Sequence, residues 1–185
     1  MLHEDFTLTR DCPGTRIPSG EELTLPAGTT VTVSQALGGT VTVRYANGLF
    51  RIASEHVAAL GERATTQPED SDVGPQVNPD EPFSEDQVWT ALKSCFDPEI
   101  PINIVDLGLI YDLRTDPAAD DRHRVAIQMT LTAQGCGMGP VIADDARRKV
   151  EALPGVESAT VDIVWDPPWN PQMISEAGRK RLDID

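Results

Sequence analysis

The chain has 185 residues, an apolar fraction of 39%, and thirty acidic against fifteen basic side chains for a net charge of −15. That length suits one or two small globular domains, and the negative surface repels phosphate backbones and anionic lipid, so neither nucleic acid nor a membrane is expected as a partner. No apolar run reaches the ~18 residues of a bilayer span and no secretory signal is evident, so a cytoplasmic setting is expected.

Residues 1–61 read as short strands and turns: Glu22 to Leu25, Thr29 to Ser34, Val41 to Tyr45 and Leu49 to Ile52. Val31 and Val33, then Val41, Val43 and Tyr45, alternate with the period of a half-buried strand. Asn47-Gly48 is placed as the two-residue turn of a hairpin, because both residues accept positive φ. A small antiparallel β module is predicted.

Over 62–82 the composition changes to prolines and acids, with six carboxylates against one arginine and a net charge of −5. So little apolar surface cannot offset the entropy of ordering, and an extended linker is predicted.

A second domain is predicted over 83–165. Ser84 caps a helix, Gln87 reaches back to it, and Phe83 and Val88 form a hydrophobic staple. Val88, Leu92, Cys95 and Phe96 share one face, which places Cys95 in the core; Asp97-Pro98 ends the helix. Leu109, Tyr111 and Leu113 alternate, as do Val125, Ile127, Met129 and Leu131, in a strand running to about Thr132. Pro140 suits the first turn of a second helix, whose Ile142, Ala146, Val150 and Leu153 share a face before Pro154-Gly155 stops it. Ala159, Val161, Ile163 and Trp165 make a final strand. The order helix, strand, strand, helix, strand gives a two-layer α+β fold, a three-stranded sheet with helices on one face. Residues 166–185 form a C-terminal extension that opens Asp166-Pro-Pro-Trp169, and its Arg179-Lys180-Arg181 reads as a solvated helix end.

Two stretches carry chemistry. In Thr132-Ala-Gln-Gly-Cys136-Gly-Met-Gly-Pro140 a cysteine lies in a strand-to-helix loop, where the positive end of a helix lowers a thiol pKa. Glycines 135, 137 and 139 let backbone amides approach a bound atom, while Asp144 and Asp145 partly offset the field. Cys136 is therefore a candidate reactive thiol, or else a small apolar residue in a tight turn. The second stretch, Asp97-Pro-Glu-Ile-Pro101 through Asp106-Leu-Gly-Leu-Ile-Tyr111, puts Asp97, Glu99 and Asp106 in one stiff loop, as loop braces, metal ligands or a general base. Cys12 has no role assignable from its context. Three widely spaced cysteines argue for unpaired thiols over a disulfide framework. The chain has no Walker loop, dinucleotide fingerprint or zinc spacing, and His3, His56 and His123 fall in different elements.

These two stretches resemble the signature segments of the small iron-sulfur maturation domain shared by PaaD and the cytosolic iron-sulfur targeting factors. With Arg10-Asp-Cys12-Pro, Gln35-Ala-Leu-Gly-Gly39 and Asp166-Pro-Pro-Trp169, the chain is similar to the longer SufT proteins of bacterial Suf systems. The resemblance implies a non-enzymatic factor that matures or delivers iron-sulfur clusters, with Suf cluster-assembly proteins and apo iron-sulfur client enzymes as partners. It makes Cys136 the reactive or cluster-related thiol, a possible transient ligand of iron or a cluster, and Thr132, Asp97 and Glu99 the adjoining surface. Many short members follow the thiol with proline; here Gly137 follows it, so a more pliant loop is expected.

Because clusters are usually held by four thiolates, one cysteine is insufficient. Two chains meeting at their Cys136 loops would supply two thiolates, with carboxylates, a small thiol or a client cysteine filling the rest of a transient site, so a homodimer is possible and a permanent cofactor is not expected. Three activities remain open: an adaptor joining cluster machinery to clients, a cluster or iron carrier, and a thiol enzyme using Cys136 for redox or acyl-transfer chemistry.

Overall fold

The computed structural model describes residues 4–61, 82–135 and 137–184; most of the expected linker, and Cys136 itself, lie outside these. The chain divides into two compact units between residues 73 and 74.

The first unit is one antiparallel sheet of six strands, β1 (Glu4–Thr7), β2 (Cys12–Ile17), β3 (Glu22–Leu25), β4 (Thr30–Leu37), β5 (Thr40–Tyr45) and β6 (Gly48–Ile52), in the order β1-β4-β5-β6-β2-β3. Val31, Val41, Val43, Phe50, Ile52 and Leu25 fill its core, with Val57 and Leu60 from a 3-10 turn over Ser54–Leu60. The β5-β6 turn is Ala46-Asn47, one residue earlier than expected. Tyr45 pairs with Gly48, and Ala46 takes φ 49°. A Cβ at Gly48 would press on the Phe50 ring, at 3.1 Å, so a larger residue there needs that ring to shift. Strands β1 and β2 were not among the expected strands, and in β2 proline and glycine interrupt the alternation at Cys12-Pro-Gly14. Cys12 is fully buried on β2, its Sγ facing the carbonyls of Pro13 (3.7 Å) and His56 (3.8 Å).

The second unit is α+β. Helix α1 (Glu85–Lys93) precedes β7 (Ile110–Pro117) and β8 (His123–Met129); α2 (Gly139–Glu151) then leads to β9 (Val156–Ile163), and α3 (Glu176–Leu182) follows. The sheet order is β7-β8-β9, antiparallel for β7-β8 and parallel for β8-β9, and α1 and α2 pack on one face. Val88 and Leu92 of α1, Val125, Ile127 and Met129 of β8, and Ile142, Ala146 and Val150 of α2 are buried together with Cys95. The capping box forms, with the Ser84 amide donating to Gln87 Oε1 at 3.2 Å. Phe83 stacks on His123 with ring centroids 4.3 Å apart, and its Cβ closes on Gly155 so tightly that no side chain fits there.

Two strands end sooner than expected. β8 stops at Met129, not near Thr132, because the Thr130 amide turns to the Leu109 carbonyl at 2.8 Å. β9 stops at Ile163, leaving Trp165 39% exposed. Residues 166–184 pack onto the second unit through the contacts described below. No helix among the described residues is long and apolar enough to cross a membrane.

Candidate functional site

The loop from Asp97 to Leu109 is built by side chains that replace missing backbone partners. Asp97 Oδ1 accepts from the amides of Glu99 (2.8 Å) and Ile100 (3.0 Å), which bends the chain at Pro98. Asp97 is 7% exposed. Burial pushes its carboxyl above the ordinary aspartate range, and the Glu99 and Ile100 amides pull it part of the way back. Glu99, by contrast, is exposed. The loop closes through the Ile104 amide on Cys95 O (2.9 Å) and a bridge between Phe96 and Asn103.

Asp106 is the hub. Its Oδ2 accepts from Asn103 Nδ2 (2.7 Å), its Oδ1 accepts from Ser175 Oγ (2.7 Å), and its carbonyl accepts from the Ser175 amide (2.8 Å). Ser175 in turn caps α3, its Oγ accepting from the Gly178 amide at 3.0 Å. Around this hub Trp169 Nε1 donates to Leu107 O (2.8 Å), and Tyr111 Oη donates to Pro167 O (2.8 Å). Gly108 sits at φ 71° with the Met173 carbonyl against its Cα, so any Cβ there would collide with backbone. Gly178 leaves the same clearance for the Asp106 carbonyl. Of the three options open for Asp97 and Asp106, the contacts match loop braces.

The second stretch leaves β8 beside this loop, joined to it by the Thr130–Leu109 bond. Thr130 is fully buried, and its Oγ1 has no hydrogen-bond partner among the described residues. Thr132 is half-buried, Gln134 and Gly135 are exposed, and Gly135 takes φ 83° with nothing within 4 Å of a Cβ position. Gly139 departs from the expected cradle of amides. It is buried at the start of α2 with Leu131 Cδ1 where a Cβ would stand, so its role is close packing. Pro140 occupies the first turn, and no acidic residue lies there to offset the positive helix end.

Among the described residues, no hydrogen bond or ion pair joins Thr132 to Asp97 or Glu99, and no three His, Cys, Asp or Glu side chains converge as a metal site would need. Cys95 lies in the core as expected, with its Sγ 3.7 Å from Ala91 O. Burial pushes the Cys12 thiol up, against a smaller downward pull from Arg10, which favours the thiol over the thiolate. Ser175, the hydrogen bond from Trp169 to Leu107 and the packing roles of Gly108 and Gly178 were not expected from sequence. The local signal at Ser175 is an N-cap signal, and nothing nearby in sequence ties it to Asp106.

The second unit is a small two-layer α+β domain in which the Asp97–Leu109 loop and the exit from β8 are joined by the Thr130 amide donating to the Leu109 carbonyl. The family model described as iron-sulfur cluster assembly protein matches residues 85–163. A protein of Porphyromonas gingivalis named as an Fe-S protein maturation auxiliary factor is 42% identical over 99 residues, 54% of this chain and 90% of the relative. The Fe-S protein maturation auxiliary factor SufT of Staphylococcus aureus is 39% identical over 88 residues, 48% of this chain and 96% of that one. The chain belongs to the iron-sulfur cluster assembly protein family. A crystal structure of a domain of unknown function from Bacillus anthracis is 31% identical, covering 55% of this chain and 92% of that one, with a TM-score of 0.48. Residues 4–61 lie outside the span of the family model.

Proposed function

We propose that this protein is an iron-sulfur cluster maturation factor of the Suf type, an adaptor or transient carrier that delivers clusters to client proteins. The observation that carries the reading is the near-complete coverage of SufT, 96% of its length, by this chain. The bond between Thr130 and Leu109, which ties the two signature stretches into one edge, supports it.

In this reading Cys136 is the working thiol, and Thr132, Asp97 and Glu99 belong to the surface around it. Asp97 acts by shaping the turn, since its Oδ1 is taken by two amides, and it thereby presents exposed Glu99. The cluster is cargo. One thiolate leaves most of its coordination open, so a client cysteine or the Cys136 of a second chain completes the site, and incomplete ligation favours handover over storage. Suf assembly proteins and apo-clients are the partners, and the setting is the cytoplasm. The segment 62–82 is the linker between a β module, 1–61, and the assembly domain, 83–165, with 166–185 as its extension; it lets the two bind different partners at raised effective concentration. The activity is delivery, without turnover of a small molecule.

The test is complementation. A strain lacking the gene, grown under iron limitation, should lose iron-sulfur enzyme activities that the wild-type chain restores and Cys136→Ser does not. Anaerobic reconstitution with iron and sulfide separates carrier from adaptor, because a carrier gains visible absorbance that Cys136→Ser lacks. Full restoration by Cys136→Ser, with the thiol of the folded protein inert to alkylation, would remove the reading.

A further inference from the structure

Helices α1 and α2 bury the face of the sheet that carries Val125, Ile127 and Met129, and the opposite face of β8 is exposed at Arg124, Ala126 and Gln128. Register places Asp112, Gln128 and Asp162 in one row across the three strands of that open face, with Arg114, Ala126 and Thr160 in the next. Gln128, Asp162, Ala126 and Thr160 are all exposed.

Beside the first row the C-terminal segment forms the wall of an open groove of about 610 Å³. Ile110, Val164, Pro167 and Met173 give it apolar surface, and Gln128 and Asp166 give it a polar margin. The wall is fixed, since Tyr111 Oη donates to Pro167 O at 2.8 Å and lies 3.6 Å from Met173 Sδ.

The charges are unbalanced. Arg114 is committed to Asp112 at 2.8 Å and Arg124 to Glu157 at 3.2 Å, whereas Asp162 and Asp166 have no ion-pair partner among the described residues. An apolar groove beside two uncompensated carboxylates suits a ligand that carries aliphatic and cationic side chains together. A second copy of this chain would bring the same carboxylates against each other, and nucleic acid would bring phosphates.

We propose that the open sheet face and its groove dock an extended segment of a partner protein, placing an aliphatic side chain in the groove and a lysine or arginine at Asp162 and Asp166. The docking deepens the delivery reading, on which it rests for its biological role, by giving the chemistry of one partner contact. Exposed ion pairs contribute little individually, so apolar burial supplies most of the affinity, and the carboxylates supply selection and salt dependence.

The test uses the full chain and a fluorescein-labelled Lys-Val-Lys-Val-Lys peptide, followed by anisotropy, with a Glu-Val-Glu-Val-Glu peptide as counter-probe. The basic peptide should bind and weaken with salt, and the acidic one should not bind. Asp162→Lys with Asp166→Lys should weaken binding about tenfold, whereas Glu4→Lys with Glu22→Lys, the same charge change placed on the first unit, should alter it less than about twofold. Gln128→Trp, which fills the groove without changing charge, should also weaken it, and melting curves establish that each variant is folded. Equal losses in the two charge variants, equal binding of the two peptides, or no binding of the basic peptide would overturn the proposal. So would a wild-type dimer that dissociates in the Asp162→Lys, Asp166→Lys variant, since the face would then belong to a second copy. Neither iron nor Cys136 enters this assay, so Cys136→Ser should bind like wild type, and failure here leaves the complementation result to decide the delivery reading separately.

Discussion

The six-stranded sheet of the first unit and the Asp97–Leu109 loop of the second are held by opposite means. In the sheet, order is spread over five strand pairings and a shared apolar core, and each residue contributes a small part. In the loop it is concentrated in a few polar atoms and two clearances, with Asp97 and Asp106 accepting the hydrogen bonds and Gly108 and Gly178 admitting backbone. A distributed network loses stability gradually, while a concentrated one fails at single positions.

Gly108→Ala should break the comparison open most strongly. It forces a Cβ into the Met173 carbonyl at a positive φ, and we expect a cost of about 3 to 4 kcal/mol. Hydrogen exchange on the full chain should show protection lost over 103–111 and 173–178 and retained over 4–61; equal loss in both regions would contradict the contrast. Asp106→Ala comes next, at about 2 to 3 kcal/mol, because it strands Asn103 Nδ2 and Ser175 Oγ without partners. Urea midpoints measure that cost, and Asp106→Asn should recover part of it. In the sheet, Cys12→Ala removes one buried sulfur from a shared core and should cost only about 1 kcal/mol.

Asp97→Asn sharpens the contrast through pH. The native carboxyl of Asp97 is raised above its ordinary value of 3.8, so the native state holds its proton more tightly than the unfolded chain does. That contribution is present below the ordinary pKa and is lost as pH rises through the raised one. Asparagine keeps the Oδ1 acceptor and has no charge to bury, so the variant should gain on wild type as pH rises from 3 to 7. A gap that stays flat across this range would mean that the carboxylate is not penalised by its burial.

The smallest effect belongs to Asp144 on α2. Its carboxyl is held below the ordinary range chiefly by its hydrogen bond to Arg147, with the Arg148 charge adding to the pull and partial burial opposing it. The stability it adds is present above the ordinary pKa and fades as pH falls through the lowered one. The pair is largely exposed, with side-chain accessibilities of 42% for Asp144 and 39% for Arg147. Solvent screening should therefore hold Asp144→Asn to below about 0.5 kcal/mol at physiological salt, as thermal melts at two ionic strengths would show.

Legibility in the sequence follows the same division. Val41 through Tyr45, Val125 through Met129 and the Ser84–Gln87 cap were readable because period and capping are local properties. Strand β2 was not, because Pro13 and Gly14 break the alternation and only pairing with β3 and β6 fixes it. The candidate site divides likewise. Asp97 as a turn acid is local, whereas the bond from Asp106 to Ser175 spans 69 positions and leaves no periodic trace. Gly139 misled for a related reason: a glycine that gives amides access to a ligand and one that gives room to Leu131 look alike in sequence.

Leu131 against Gly139 has one more consequence. A Cβ at position 139 would meet the end of the Leu131 side chain rather than backbone, so the cost of a larger residue there is set by the room left to Leu131 and not by any shift of main chain.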